Sequence, residues 1–200
     1  MIKTGVSYNS YCDAKKIQEQ SSKYLETYIK LSSERIIVLS EDITKEVAVQ
    51  LSALLLHYDN ENSNETIYLY IHSDGGDAAA LINIYDVIQM INSPIHTICM
   101  GKAYSAAAVL LAAGTKGKRF AFKHAKIMLH GIQCLFPIIG QDQINSKAYY
   151  DFLKNHNNNI MKILSTHTNQ PLEKIQEDCK RDCYLDTRQA IEYGLIDHII

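Results

Sequence analysis

The sequence lacks a dominant charge: 20 basic residues face 22 acidic ones, a formal net charge of −2. No broad basic field is available to hold phosphates, so nucleic acid is not expected as a partner. A long apolar run is missing too. The longest, Ala103 to Gly114, is interrupted by Tyr104 and Ser105 and falls well short of the roughly 20 residues a membrane span requires. The first residues carry no secretory h-region, and Asp13, Glu19, Glu26 and Glu34 break the acid-poor pattern of a transit peptide. Cysteine is scarce and unpatterned. Cys12, Cys99, Cys134, Cys179 and Cys183 make an odd set without C-x-x-C spacing, which argues against a disulfide framework and a zinc site. Cys179 and Cys183 share i, i+4 spacing, but no histidine or third cysteine lies close in sequence. A cytoplasmic, reducing setting is expected, with no membrane partner.

What is present suits one globular domain with a full core: 200 residues, 46% of them apolar and 21% charged. No repeat of fixed period and no linker divides the chain. Alternating β and α patterns fill its middle. "RIIVLS" (35–40), "TIYLYIHS" (66–73) and "IHTICM" (95–100) read as strands. "ITKEVAVQLSALLLHY" (43–58) and "AAALINIYDVIQMI" (78–91) carry apolar residues at helical spacing. A buried helix is expected from "GKAYSAAAVLLAAG" (101–114), then short strands at 118–122 and 126–130 and one long helix over 144–168. "PLEKIQEDCK" and "DTRQAIEYG" read as short helices, the second ending at Gly194, and "LIDHII" as a last strand. Strand and helix in alternation with short connectors imply crossover units and a mostly parallel α/β sheet. The polar segment before Arg35 reads as an amphipathic helix bearing Ile17, Tyr24, Tyr28 and Leu31.

Four features can carry chemistry. Ser105 stands between a buried strand and a helix, where backbone N–H groups favour negative charge. It lies outside any G-x-S-x-G motif, and from position alone a helix N-cap is the simpler role. "HSDGGD" (72–77) puts adjacent glycines at a strand-to-helix junction; their N–H groups can approach a ligand, or the pair can be a plain tight turn. His130 ends a strand and Asp182 lies between an arginine and a short apolar run, positions that often serve ordinary hydrogen bonds and caps. Together the four meet the needs of acyl transfer: a hydroxyl nucleophile, an imidazole, an orienting carboxylate and donors for an oxyanion.

From about Arg35 to the C-terminus the chain resembles the proteolytic subunits of the ATP-dependent Clp protease. "IYLYIHSDGGD", "IYDVIQMI", "TICMGKAYSAAAVLLAAGTKGKRFA", "IMLH" and "HTNQPLEKIQEDCKRDCYLDTRQAIEYGLID" carry the resemblance. It implies a crotonase-type αβ spiral with parallel strands, crossover helices and a protruding handle, a strand plus a long helix, at about 131–168. Residues 35–200 would form the peptidase domain and 1–34 an N-terminal segment, a propeptide or axial region with a short helix. The resemblance places the nucleophile at Ser105, the general base at His130 and the orienting acid at Asp182. Oxyanion donors fall on the backbone N–H groups of Gly76 and Ala106, and substrate contacts on Gly75 and Ile132. It implies no cofactor or metal. Heptameric rings stacked face to face would enclose a chamber, fed with unfolded polypeptide by an AAA+ unfoldase. The alternative is a catalytically weak or silent ring subunit that scaffolds an active paralogue. Crotonase-type enzymes that stabilise thioester enolates also use paired backbone donors, but have no need of a Ser, His and Asp here.

The chain departs from the family pattern in ways that bear on activity and assembly. Asp74 replaces a proline in the "SDGG" turn, and its charge is expected to oppose a developing oxyanion and slow acylation. Tyr104 replaces a small residue and Ala106 a methionine, so the pocket beside the nucleophile is reshaped. "GIQCLFPIIGQD" (131–142) replaces a glycine-rich strand, with Leu135, Phe136, Ile138 and Ile139 expected between subunits and Pro137 removing a ladder donor. Lys180-Arg181 replaces an acidic-arginine pair that bridges rings, so two assemblies are expected as alternatives: homo-oligomeric rings, or rings mixed with a Clp proteolytic paralogue.

Overall fold

A computed structural model describes residues 26–132 and 143–200. The chain divides into two compact units, Met1–Ile36 and Ile37–Ile200. In the first, residues 26–33 form helix α1, where Tyr28 and Ile29 are exposed and Leu31 is half-buried. Ile17, Tyr24 and any propeptide lie outside the described residues, as do Leu135, Phe136, Pro137, Ile138 and Ile139. No helix among the described residues is long and apolar enough to cross a membrane.

From Ile36 the order is β1 (Ile36–Leu39), α2 (Lys45–Glu61), β2 (Ile67–Ser73), α3 (Ala78–Met90), β3 (Ile95–Tyr104), α4 (Ala106–Ala112), β4 (Arg119–Ala121) and β5 (Lys126–Leu129). The long α5 (Gln143–Thr168) comes next, then α6 (Leu172–Asp178), β6 (Cys183–Leu185), α7 (Thr187–Tyr193) and β7 (His198–Ile199). One sheet takes all of these strands, in the order β1-β2-β3-β4-β7, with β5 and β6 branching from β3. β3 pairs in parallel with β2, β4 and β5, and β4 with β7, whereas β5 and β6 run antiparallel. This is the parallel-dominated α/β architecture of the Clp and crotonase type.

β3 is the strand on which the sheet forks. Its first half, Thr97 to Cys99, pairs with β4, and its last turn, Lys102 to Tyr104, pairs with β5. Between the halves the register against β2 slips: Ile71 faces Cys99, yet Ser73 faces Ala103. A bulge of this kind bends its strand and re-aims the residues beyond it. Ser105 is the residue at which the re-aimed strand ends.

The apolar run at 101–114 is therefore not one helix. Residues 101–104 extend β3, and α4 is only Ala106–Ala112, buried along its whole length. A helix apolar on every side belongs in the interior, and here it packs against β3, α3 and α5. Its opening alanines allow that close approach. Sequence periodicity did not reveal β6, because Cys183–Leu185 is too short to show alternation, and Pro171 caps α6 rather than starting its first turn. Cys99 and Cys179 are free buried thiols, pushed by burial up to about 12, so both pack as small inert hydrophobes at neutral pH.

Arg119 locks the far end of the sheet. Its guanidinium donates to both Asp197 oxygens (2.9 and 2.6 Å) and to the His167 carbonyl (2.9 Å). Burial alone would raise the Asp197 carboxyl, but the hydrogen bond and charge of Arg119 outweigh it and hold the group below the usual range. That stability is present above the unfolded carboxylate value and is lost as pH falls through the lower folded value. Replacing one partner strands a buried charge, so Arg119→Leu should destabilise by about 3–5 kcal/mol. Urea midpoints measured at pH 7 should show this, and the gap should narrow once the pH drops below about 4.

Candidate active site

The C-terminal ends of β2, β3 and β5 meet on one edge of the sheet, where α/β folds collect ligand sites. Ser105 leaves β3 with its N–H donating to Met128 O (2.8 Å), one step beyond the Tyr104–Met128 pair. Its backbone is strained, with φ 55° and ψ −123°, a cost of order 1–3 kcal/mol for a residue with a side chain. Ser105 occupies the N-cap position of α4 but its side chain caps nothing. Its Oγ lies 2.8 Å from His130 Nε2 instead.

His130 comes directly after β5. In the antiparallel register, Met128 faces Tyr184 and Leu129 faces Cys183, and the next step sets His130 opposite Asp182. His130 Nδ1 lies 3.5 Å from Asp182 Oδ1. That nitrogen is buried and has no hydrogen-bond partner among the described residues, since 3.5 Å suits an ion pair but is long for an N–H···O bond. Asp182 Oδ2 lies 3.5 Å from the Tyr184 hydroxyl, and the Tyr184 ring meets Tyr104 edge-on at 5.8 Å. The Asp182 charge pushes the Tyr184 hydroxyl up. Tyr184 escaped sequence reasoning because its only signal is the period-two spacing from Asp182 on β6, itself unread.

The glycine turn closes the other side. Gly75 has φ +99°, and a Cβ there would lie 2.7 Å from Tyr104 O and 2.8 Å from Ser105 Cβ. Gly76 forms a parallel bridge with Ile43, which bonds Gly75 O and Asp77 N on either side of it. That alternation turns the Gly76 N–H away from Ile43. Neither it nor the Ala106 N–H finds an acceptor among the described residues. Both amides are therefore free to donate to a bound oxygen.

A cavity of about 310 Å³ opens between them, bordered by Ser105 and His130 and walled by Leu81, Val109, Leu129 and Ile160. Ile132 also lines it, and the Ile132 N–H is already donated to Asn157 Oδ1 at 2.8 Å. Asp74 is not the bare charge the sequence suggested, because Lys102 Nζ lies 2.5 Å from its Oδ2. The pair is half-exposed, so it is screened and weak, yet it neutralises the carboxylate beside the turn. Lys102→Met should therefore slow any acylation at Ser105 more than Asp74→Asn does. Rates of p-nitrophenyl ester hydrolysis by the two variants give the comparison.

Known proteins match the chain along most of its length. A family model described as Clp protease covers residues 18–200. The chain is 40% identical over 187 residues to an ATP-dependent Clp protease proteolytic subunit of Mesostigma viride, covering 91% of this chain and 78% of the relative. It is 39% identical over 181 residues to the ATP-dependent Clp protease proteolytic subunit 3 of Synechococcus sp. (strain CC9605), covering 90% of each. A third relative, the ATP-dependent Clp protease proteolytic subunit of Chlorokybus atmophyticus, is 40% identical over 187 residues, 91% of this chain and 80% of its own. Spanning most of the chain, these matches show that it belongs to the Clp protease family.

Proposed function

We propose that the chain is a serine endopeptidase subunit of a self-compartmentalising Clp protease, cutting unfolded polypeptides through an acyl-enzyme. The observation that carries this is the 2.8 Å contact between Ser105 Oγ and His130 Nε2, made by a serine that leaves its helix uncapped. Ser105 Oγ attacks the peptide carbonyl as His130 Nε2 takes its proton, and the carbonyl electron pair moves onto oxygen. The N–H groups of Gly76 and Ala106 receive that oxyanion, while Asp182 steadies the imidazolium without taking its proton. Collapse expels the amine, which accepts the proton from Nε2, and water repeats the sequence to release the acid. Gly75 brings the turn against Ser105, and the Ile132 side chain borders the bound chain. No metal or organic cofactor enters these steps.

The relatives' names describe proteolytic subunits of an ATP-dependent protease, which supports an AAA+ unfoldase as the source of unfolded chain. One relative is numbered subunit 3, which favours rings mixed with a paralogue over stacked rings of this chain alone.

The second reading, a silent scaffold subunit, rests on the 3.5 Å separation and unsatisfied Nδ1 of His130. A fluorophosphonate probe with adduct mapping by mass spectrometry separates the two. Labelling confined to Ser105, alone or with the paralogue, supports the peptidase; an unlabelled chain inside an assembled, active particle supports the scaffold.

A further inference from the structure

Asn157 takes no part in the making or breaking of bonds at Ser105, and asparagine inside a helix is unfavourable by about 0.7 kcal/mol relative to alanine. It stands well inside α5, in a run of three asparagines, Asn157 to Asn159. Its amide oxygen accepts the Ile132 N–H at 2.8 Å, and the preceding amide, Gly131 N–H, donates to Cys179 O at 2.8 Å. The two peptide groups just beyond His130 are thus tied to two different elements, one to α5 and one to the C-cap of α6. The slot is narrow. A Cβ on Gly131 would lie 3.2 Å from Asn157 Oδ1 and 3.3 Å from Cys179 O, so the segment has little room to shift.

Asn157 also shares a face of α5 with Ile160 and Leu164, spaced i, i+3 and i+7, and both of those line the cavity. It is the polar head of an apolar stripe, and it meets the one backbone N–H that a leucine there would leave without an acceptor.

We propose that Asn157 is a positioning residue, a clamp that holds the segment after His130 so that the imidazole stays on Ser105 and Ile132 stays on the cavity wall. The proposal rests on the reading of Ser105 as nucleophile and His130 as its base. Without the acceptor, the half-buried Ile132 N–H turns toward water to recover a hydrogen bond. That rotation draws Ile132 off the cavity and loosens the strand end that aims His130.

Two variants of the full chain test this. Asn157→Leu keeps the shape and removes the acceptor, while Asn157→Asp keeps an acceptor oxygen at the same place. The rate constant for fluorophosphonate labelling of Ser105 is expected to fall at least about tenfold in the leucine variant and to stay within about threefold of wild type in the aspartate variant. Leucine labelling within threefold of wild type, or aspartate no faster than leucine, overturns the proposal. Hydrogen exchange at the Ile132 amide reads the clamp without any chemistry. Exchange at least about tenfold faster in the leucine variant is expected, and equal protection in both proteins refutes the clamp. Wild type that resists the probe while its Ile132 amide remains protected counts against the nucleophile alone.

Discussion

Replacing Ser105 with alanine should reduce hydrolysis of a small peptide ester by at least about 10³-fold, because removing one member of such a triad disables the unit. Stability should barely change. The Ser105 side chain caps no helix N–H, and its hydroxyl leaves only the His130 contact behind. Ser105→Gly sharpens the expectation. It is equally inactive, but it removes the strain of a side chain at φ 55°, so it should be more stable than the alanine variant by about 1–3 kcal/mol. Thermal unfolding of the two variants beside the ester assay makes the comparison. An alanine variant that retains hydrolysis would place the nucleophile elsewhere, and a glycine variant less stable than alanine would show that the backbone is not strained for the sake of the hydroxyl.

Gly75→Ala is the second large effect. The new Cβ meets Tyr104 O at 2.7 Å and Ser105 Cβ at 2.8 Å, on a backbone with φ +99°. Neither the turn nor β3 can yield without moving the Gly76 amide or Ser105, and losing one oxyanion donor alone costs about 10²–10³ in rate. Ester hydrolysis should fall by at least that much. Gly117→Ala supplies the control: φ is +81° there, but nothing among the described residues lies within 4 Å of the added methyl. It should share the backbone penalty and leave hydrolysis intact. Equal rates in both variants would mean that the close approach at Gly75 does not matter to the chemistry.

Much of this architecture could be read from residue patterns. The apolar spacing of α2 and α3 and the β-branched runs of β2 and β3 locate the crossover units, because periodicity reports which face is buried. The same patterns put Ser105, Gly75 and Gly76 at strand ends, where parallel sheets present their sites. The resemblance, rather than periodicity, joined His130 and Asp182 to them. Their meeting depends on the β5–β6 register, and a strand of three residues leaves no pattern to find. Other features were hidden for the same reason: they are contacts between distant elements. Lys102 reaches Asp74 across the register slip between β2 and β3, and Asn157 meets Ile132 from the long helix α5.

A crystal structure of the protein inactivated with a fluorophosphonate tests the central claim most directly. The account predicts phosphorus bonded to Ser105 Oγ, with the phosphonyl oxygen within about 3.1 Å of both Gly76 N and Ala106 N. His130 Nε2 should stay beside the ester oxygen, with Nδ1 drawn to within about 3.2 Å of Asp182. Phosphorus on another residue, or a phosphonyl oxygen turned to solvent away from both amides, would contradict it.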